Sequence, residues 1–264
     1  MRELKYIRYY SIGIAIKFFL DDNDGKAHLI EHCIMSGQQE KGESIITQLM
    51  KQGCVCCDAR TYNDCTEYVI ISDEKENFYN SVSILLHEIF SPSFLINKSI
   101  FDREIITASD LNGNIICEMK NFWDNLRNRI KLSVKQKMCL GTYAYTSGGL
   151  PEKISKISYE ELVEFYYYNY RIERASIFVN ENVDIKEVQK IINDIKQDVK
   201  DNILKKINIK RNCIENISVP SYTSLIWFVP IYNDEIKDTI VDYILSYKIN
   251  TILQLINEKL DFFY

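Results

Sequence analysis

The sequence predicts an α+β fold: a mainly antiparallel sheet with helices packed on one face, followed by a partial second domain. Three observations point there. Segments of alternating apolar and polar residues are joined by short polar turns, as in antiparallel hairpins. Between them lie longer stretches with apolar residues every three or four positions, the helical period. The pattern runs almost unbroken to residue 200, whereas residues 213–264 offer only one strand and one helix. The expected organisation is therefore a domain over 1–200, a Lys- and Asn-rich linker over 201–212, and the start of a second domain over 213–264.

Taken in order, Ser11 to Leu20 alternates and is rich in Ile and Phe, so it reads as a strand. Asp21 to Gly25 is a polar turn. Lys26 to about Ser36 reads as a helix stopped by Gly37, and Glu43 to Lys51 as a second helix closed by Gly53. Cys54 to Asp58 and Thr66 to Ser72 form a hairpin with Asn63-Asp64 in the turn. Glu76 to Phe90 places Phe78, Val82, Leu85, Leu86 and Ile89 on one helix face and ends at Ser91-Pro92. Phe101 to about Asn128 is broadly helical with a break near Asn112-Gly113. Gly148-Gly149 before Pro151 is a loop. Ser158 with Glu161 three residues on is a capping box opening the next helix. Arg174 to Val179 is a strand and Asp184 to Lys200 a helix. Beyond the linker, Thr223 to Val229 reads as a strand and about Thr239 to Glu258 as a helix.

Composition narrows the function classes. Hydrophobic residues make up 46% of the chain and charged residues 26%, enough apolar surface to offset ordering entropy. The net charge is −5 and no dense basic run stands out, which argues against a nucleic-acid binder. No apolar run reaches 18 residues and no signal peptide is recognisable, so neither a membrane span nor secretion is expected. Eight cysteines without a secretory signal read as thiols in a cytoplasmic protein. The Cys54–Cys57 cluster lacks a second pair at zinc-finger spacing and reads as ordinary thiols.

Chemistry concentrates at His28-Leu29-Ile30-Glu31-His32. The chain has three histidines, and two fall in this five-residue window. Four residues apart on a helix, both imidazoles project from one face, an arrangement suited to a zinc ion. Glu31 shares that face and stands close enough to act as general base. The third histidine, His87, lies on an otherwise apolar face and reads as a core or rim residue. A catalytic zinc takes a third protein ligand. Glu104 and Glu118 lie on the later helical region. Glu118 is the better candidate because it sits in an apolar stretch, where an unpaired carboxylate is costly and a metal would resolve the cost.

The order His28-x-x-Glu31-His32 is that of the inverzincins. Its setting from Gly25 to Gly37 resembles the M16 metallopeptidases. Asp58-Ala59-Arg60-Thr61 followed by Asp64, Thr66 and Tyr68 resembles a hairpin of that family. Asn114 to Lys120 resembles the segment carrying its third zinc ligand, in a form closest to the presequence-protease branch. Ser147 to Pro151 and Ser158 to Phe165 continue the likeness. The resemblance implies an M16 peptidase-like domain in which His28, His32 and Glu118 hold one zinc ion and Glu31 is the catalytic base. It implies a zinc-dependent endopeptidase for short or unfolded peptides, with substrate held along the strand of Asp58 and Ala59 and by Tyr264. Three departures stand out. Asp58 replaces the family's Asn. Leu111, with Asp110 beside it, stands where a supporting carboxylate is common. Asn257 replaces an Arg that clamps substrate. The family encloses its substrate between two halves, so a partner chain or a missing C-terminal half is expected to close the chamber. The alternative is a non-catalytic peptide- or zinc-binding subunit, or a fragment of a larger two-halved peptidase.

Overall fold

In the computed structural model the described residues are 9–37, 42–105, 113–139, 141–195, 217–219 and 222–224. The chain divides between Arg211 and Asn212 into two units. The expected linker, the helix over 239–258, Leu111, Asp110, Asn257 and Tyr264 lie outside the described residues.

In the first unit, alternation decides the sheet. Strand β1 (Tyr10–Lys17) buries Ile12, Ile14 and Ile16, while the residues between them stay half-buried. Each buried Ile contributes about 1.5–3 kcal/mol relative to exposure. Strands β2 (Cys56–Thr61) and β3 (Cys65–Ser72) form the expected hairpin, with Thr61 opposite Thr66 and Cys56 opposite Ile71. β3 also pairs antiparallel with β1, and β1 with β4 (Ala175–Val179). The order is β2-β3-β1-β4, antiparallel throughout, so β2 is an edge strand among the described residues.

The helices cover the face carrying Ile12, Ile14, Ile16, Tyr68 and Ile70. Helix α1 (Lys26–Met35) turns Ala27, Leu29, Ile30, Cys33 and Ile34 inward. Helix α2 (Ile45–Lys51) starts at Ser44, whose hydroxyl accepts from the Thr47 N–H. Helix α3 (Lys75–Phe90) supplies Phe78, Val82, Leu85, Leu86 and Ile89 to the core, the face read from the sequence. His87 stays exposed and its Nδ1 lies 2.9 Å from the Ser83 carbonyl, a rim position. Gly37 ends the α1 region for a reason beyond its own backbone. A Cβ there would sit 2.2 Å from a carboxylate oxygen of Glu88, a fully buried residue on α3.

The stretch read as one broken helix from Phe101 to Asn128 is three. Among the described residues helix α4 covers Ser99–Ile105, α5 (Asn114–Asp124) starts after Gly113, and α6 (Leu126–Met138) runs past the expected end. The division after Asp124 has a local cause: Asn125 caps α6, its side chain accepting from the Arg127 N–H. A short helix α7 (Pro151–Ile154) follows the glycine loop, with Pro at its start. Helix α8 (Tyr159–Asn169) carries the capping box: Ser158 and Glu161 satisfy each other's backbone N–H groups. Helix α9 (Ile185–Asp194) is capped by Asp184.

The second unit has one described feature. Strand β5 (Ile217–Val219) pairs antiparallel with β6 (Tyr222–Ser224), overlapping the start of the strand expected over Thr223–Val229.

Candidate metal centre

Three elements meet at the site. Helix α1 brings His28, Glu31 and His32; α5 brings Glu118; the β2 end brings Thr61. The two imidazole rings lie edge to face with centroids 4.7 Å apart. Glu118 bridges them: its Oε2 is 3.1 Å from His32 Nε2 and its Oε1 is 3.7 Å from His28 Nε2. One ligand atom from each of the three residues lies within 4.8 Å of the others, and among the described residues this is the one such group of His, Cys, Asp or Glu. Tetrahedral zinc with bonds near 2.1 Å needs ligand atoms about 3.4 Å apart, so this donor set fits the ion.

The opposite ring nitrogens are held as metal ligands require. His28 Nδ1 donates to the Gly148 carbonyl at 3.4 Å, and His32 Nδ1 donates to Glu104 Oε2 at 3.1 Å. When the rings are neutral, both bonds favour the tautomer that leaves Nε2 as the open lone pair. Gly148 belongs to the predicted glycine loop, which the Trp123 indole N–H of α5 ties down through the Gly149 carbonyl at 2.8 Å. That loop presses on the start of α1. A Cβ on Gly149, where φ is +79°, would stand 2.6 Å from the Gly25 Cα.

Glu104 was weighed only as a ligand candidate. The structure gives it a different place. It is 1% exposed and accepts from His32, from the Ser36 hydroxyl at 3.0 Å and from the Asn114 amide at 3.4 Å, with the Arg103 guanidinium 3.5 Å away. Glu104 on α4 thus stands as a buried carboxylate behind His32. Gly113 makes the approach possible, since a Cβ there would lie 2.0 Å from the Glu104 carbonyl oxygen. The reasoning that Glu118 is a costly carboxylate in apolar surroundings is corrected here. Ile115, Ile116 and Met119 take the inward face of α5, and the Glu118 side chain is 55% exposed. The buried carboxylate is Glu104.

Electrostatics separate the two histidines. Burial, with His32 nearby, pushes His28 down to about 4. Burial also works against charge on His32, but the Glu104 and Glu118 carboxylates outweigh it and lift His32 to about 9. Glu104 stays below the ordinary carboxylate range: burial opposes its ionisation, and the bonds from His32 and Ser36 prevail. The His32 hydrogen bond holds Glu118 low. Burial pushes Glu31 up, partly countered by the Thr61 hydroxyl, which donates to Glu31 Oε2. Thr61 Oγ is itself 3.0 Å from the Thr66 hydroxyl.

Of the residues expected to touch substrate, Asp58 is exposed on β2 and paired with Arg60 at 3.2 Å, and Ala59 is half-buried on the same strand. Thr61 was quoted in the motif without a role; its place two residues after Ala59 on an alternating strand was the signal available.

Comparison with known proteins bears on the fold and on the sequence likeness. No family model matches the chain. Presequence protease 1 of Arabidopsis thaliana is 27% identical over 179 residues, 63% of this chain and 16% of that protein. A protease from Helicobacter pylori superposes with a TM-score of 0.60 at 15% identity, covering 79% of this chain and 50% of that one. An M16-like peptidase structure from Alicyclobacillus acidocaldarius gives a TM-score of 0.55 at 18% identity, covering 74% of this chain and 46% of that one.

The chain is similar to presequence proteases in sequence and to M16-like peptidase structures in fold.

The fold is the α+β arrangement expected from the sequence, a four-stranded antiparallel sheet with helices. The chain spans 16–19% of the length of presequence protease 1 and of two other curated relatives it matches. No helix among the described residues is long and apolar enough to cross a membrane.

Proposed function

We propose that this chain carries the metal site and the general base of a zinc-dependent endopeptidase acting on short or unfolded peptides. The observation that carries the reading is the convergence of His28 and His32 from α1, the helix that also bears Glu31, with the Glu118 carboxylate from α5, one ligand atom of each lying within 4.8 Å of the others. A zinc ion held there supplies Lewis acidity and lowers the pKa of water.

The remaining work falls to the chain's own residues. Gly148 and Glu104 orient the two imidazoles. Glu31 accepts a proton from the attacking water and delivers it to the leaving amine nitrogen. Its raised pKa suits both halves of that task, since a base well below the working pH would hold the proton too weakly to pass it on. The Thr61 hydroxyl fixes the Glu31 rotamer. The edge strand β2, with Asp58 and Ala59, offers backbone groups to an extended peptide, a mode tolerant of side-chain identity. Tyr264 as a further substrate contact, a partner chain or further half closing the chamber, and a cytoplasmic setting for the eight thiols belong to the same proposal.

The test is metal content of the purified chain together with hydrolysis of a quenched fluorogenic peptide, with and without chelator, in wild type and Glu31→Gln. About one zinc per chain in both proteins is expected, with chelator-sensitive hydrolysis lost in Glu31→Gln. Equal hydrolysis by the variant would remove Glu31 from the mechanism. Bound zinc and peptide without any hydrolysis in wild type would make the chain a binding subunit.

A further inference from the structure

Helix α6 (Leu126–Met138) inverts the charge of the molecule. The chain is acidic overall, but the expectation of no dense basic run is corrected here: α6 carries Arg127, Arg129, Lys131, Lys135 and Lys137 and no acidic residue. The helix gains nothing from this by itself. Arg127, Lys131 and Lys135 follow one another at i, i+4 and i+8, where like charges destabilise. Arg127 and Arg129 also sit in the first turn, against the helix dipole. Ion pairing does not explain Arg127, Arg129, Lys131 or Lys135. Among the described residues, no carboxylate lies within salt-bridge distance of Arg127, Arg129, Lys131 or Lys135. Arg129 reaches the Asp124 backbone carbonyl at 3.4 Å, and the half-buried Lys135 ammonium reaches the Asn63 amide oxygen at 3.2 Å. The acid beside Asn63, Asp64, accepts instead from the Tyr143 hydroxyl. Burial and the neighbouring Lys131 push Lys135 below its ordinary value, as positive charge without a counter-ion would.

Position gives the stripe its meaning. At its start α6 joins α5, the helix of Glu118. At its far end Lys135 meets Asn63, two residues beyond the Thr61 that holds Glu31. Arg127 to Lys135 spans about 12 Å along the helix, the length of three or four residues of extended peptide. Strand β2 brings no net charge of its own beside it, since Asp58 and Arg60 pair with each other.

Resting on the peptidase reading above, we propose that α6 is a recognition surface for acidic peptides, with Arg127, Lys131 and Lys135 meeting carboxylates within a few residues of the bond to be cut. The surface sets substrate class by charge, and the backbone edge of β2 stays indifferent to side chains.

The test uses the full zinc-loaded chain and two quenched peptides with the same central residues, one flanked by Glu and one by Gln. Their kcat/KM values are compared at low and high salt. Binding to the Glu31→Gln chain is followed in parallel by fluorescence anisotropy, with and without Arg127→Gln/Lys131→Gln. Exposed pairs are each worth a factor of about two to three, so the Glu peptide should be preferred about tenfold at low salt and about twofold near 0.5 M. In the Arg127→Gln/Lys131→Gln chain the Glu-to-Gln ratio should fall towards one. Equal use of both peptides, or a preference that survives the double substitution, overturns the inference while leaving the peptidase reading intact. Salt-sensitive, α6-dependent binding of the Glu peptide by a wild-type chain that cleaves nothing upholds the inference and overturns the peptidase reading. Anionic vesicles or a single-stranded oligonucleotide bound as tightly as the Glu peptide, with the same loss in the double variant, would overturn the assignment to peptides.

Discussion

Glu104→Gln tests how far a buried carboxylate outside the ligand set governs the metal site. The substitution keeps shape and volume, so the fold should persist. It removes the charge to which His32 Nδ1 donates at 3.1 Å and turns an amide N–H₂ towards one of the donors that Glu104 now accepts from, namely His32, Ser36 or Asn114. Losing such a partner typically weakens metal binding 10–100-fold, or about 1.4–2.7 kcal/mol. A second effect runs the other way. In the metal-free chain His32 titrates at about 9, so at pH 7 the metal must displace a proton that costs roughly a hundredfold in apparent affinity. Glu104 is a principal cause of that high value, and removing its charge brings His32 down and relieves part of the competition. The expected signature is therefore a change of slope. Wild-type zinc affinity should rise about tenfold per pH unit from 7 to 9 and then level off. The variant should show a flatter rise, trailing wild type by 10–100-fold near pH 9 and by much less near pH 7. Competition against a chromophoric chelator in zinc-buffered solution measures this directly. A variant that trails by the same factor at both pH values, or that matches wild type throughout, would refute the role given to Glu104.

Three further outcomes follow from the same geometry. Zinc binding near pH 7.5 should release close to one proton, from His32 and not from His28, which at about 4 is already neutral; calorimetry in buffers of differing ionisation enthalpy counts it. Gly149→Ala should cost about 2–4 kcal/mol in urea unfolding, because φ is +79° and the new Cβ would meet Gly25 backbone at 2.6 Å, whereas Gly42→Ala, at φ +69° with open space around it, should cost about 1–2 kcal/mol. Thr61→Val removes the hydroxyl that favours ionised Glu31, so the acid limb of the kcat/KM profile should move to higher pH; an unmoved limb would mean that Glu31 is not the group titrating there.

What the sequence made legible is what local spacing determines. The pairing of His28 with His32 needs only one helical turn. The Ser158–Glu161 cap needs three residues, and the β2–β3 hairpin needs alternation around Asn63-Asp64. Gly37 and Gly113 were legible as breaks but not as contacts. Each makes room for a group from a distant part of the chain, the Glu88 carboxylate for Gly37 and the Glu104 carbonyl for Gly113. The start of α6 was hidden because an Asn cap can divide two helices without a Gly or Pro to mark the place.

The two glutamates show why the rest stayed out of reach. Sequence context ranked Glu118 as the residue in apolar surroundings, because Ile115, Ile116, Cys117 and Met119 adjoin it. On a helix, however, adjacent residues point up to a hundred degrees apart, so apolar neighbours in sequence say little about a side chain's own environment. Glu118 turns outward and meets the imidazoles at a half-exposed surface, while Glu104, with Asp102 and Arg103 beside it in the sequence, is the one enclosed. The division suits the role proposed for each. A carboxylate that shares an ion with substrate needs an open side. A carboxylate that orients a ligand works best where water cannot compete for the same hydrogen bond. The site thus separates holding from orienting between α5 and α4, and the contact of Gly113 with the Glu104 backbone ties the two helices together.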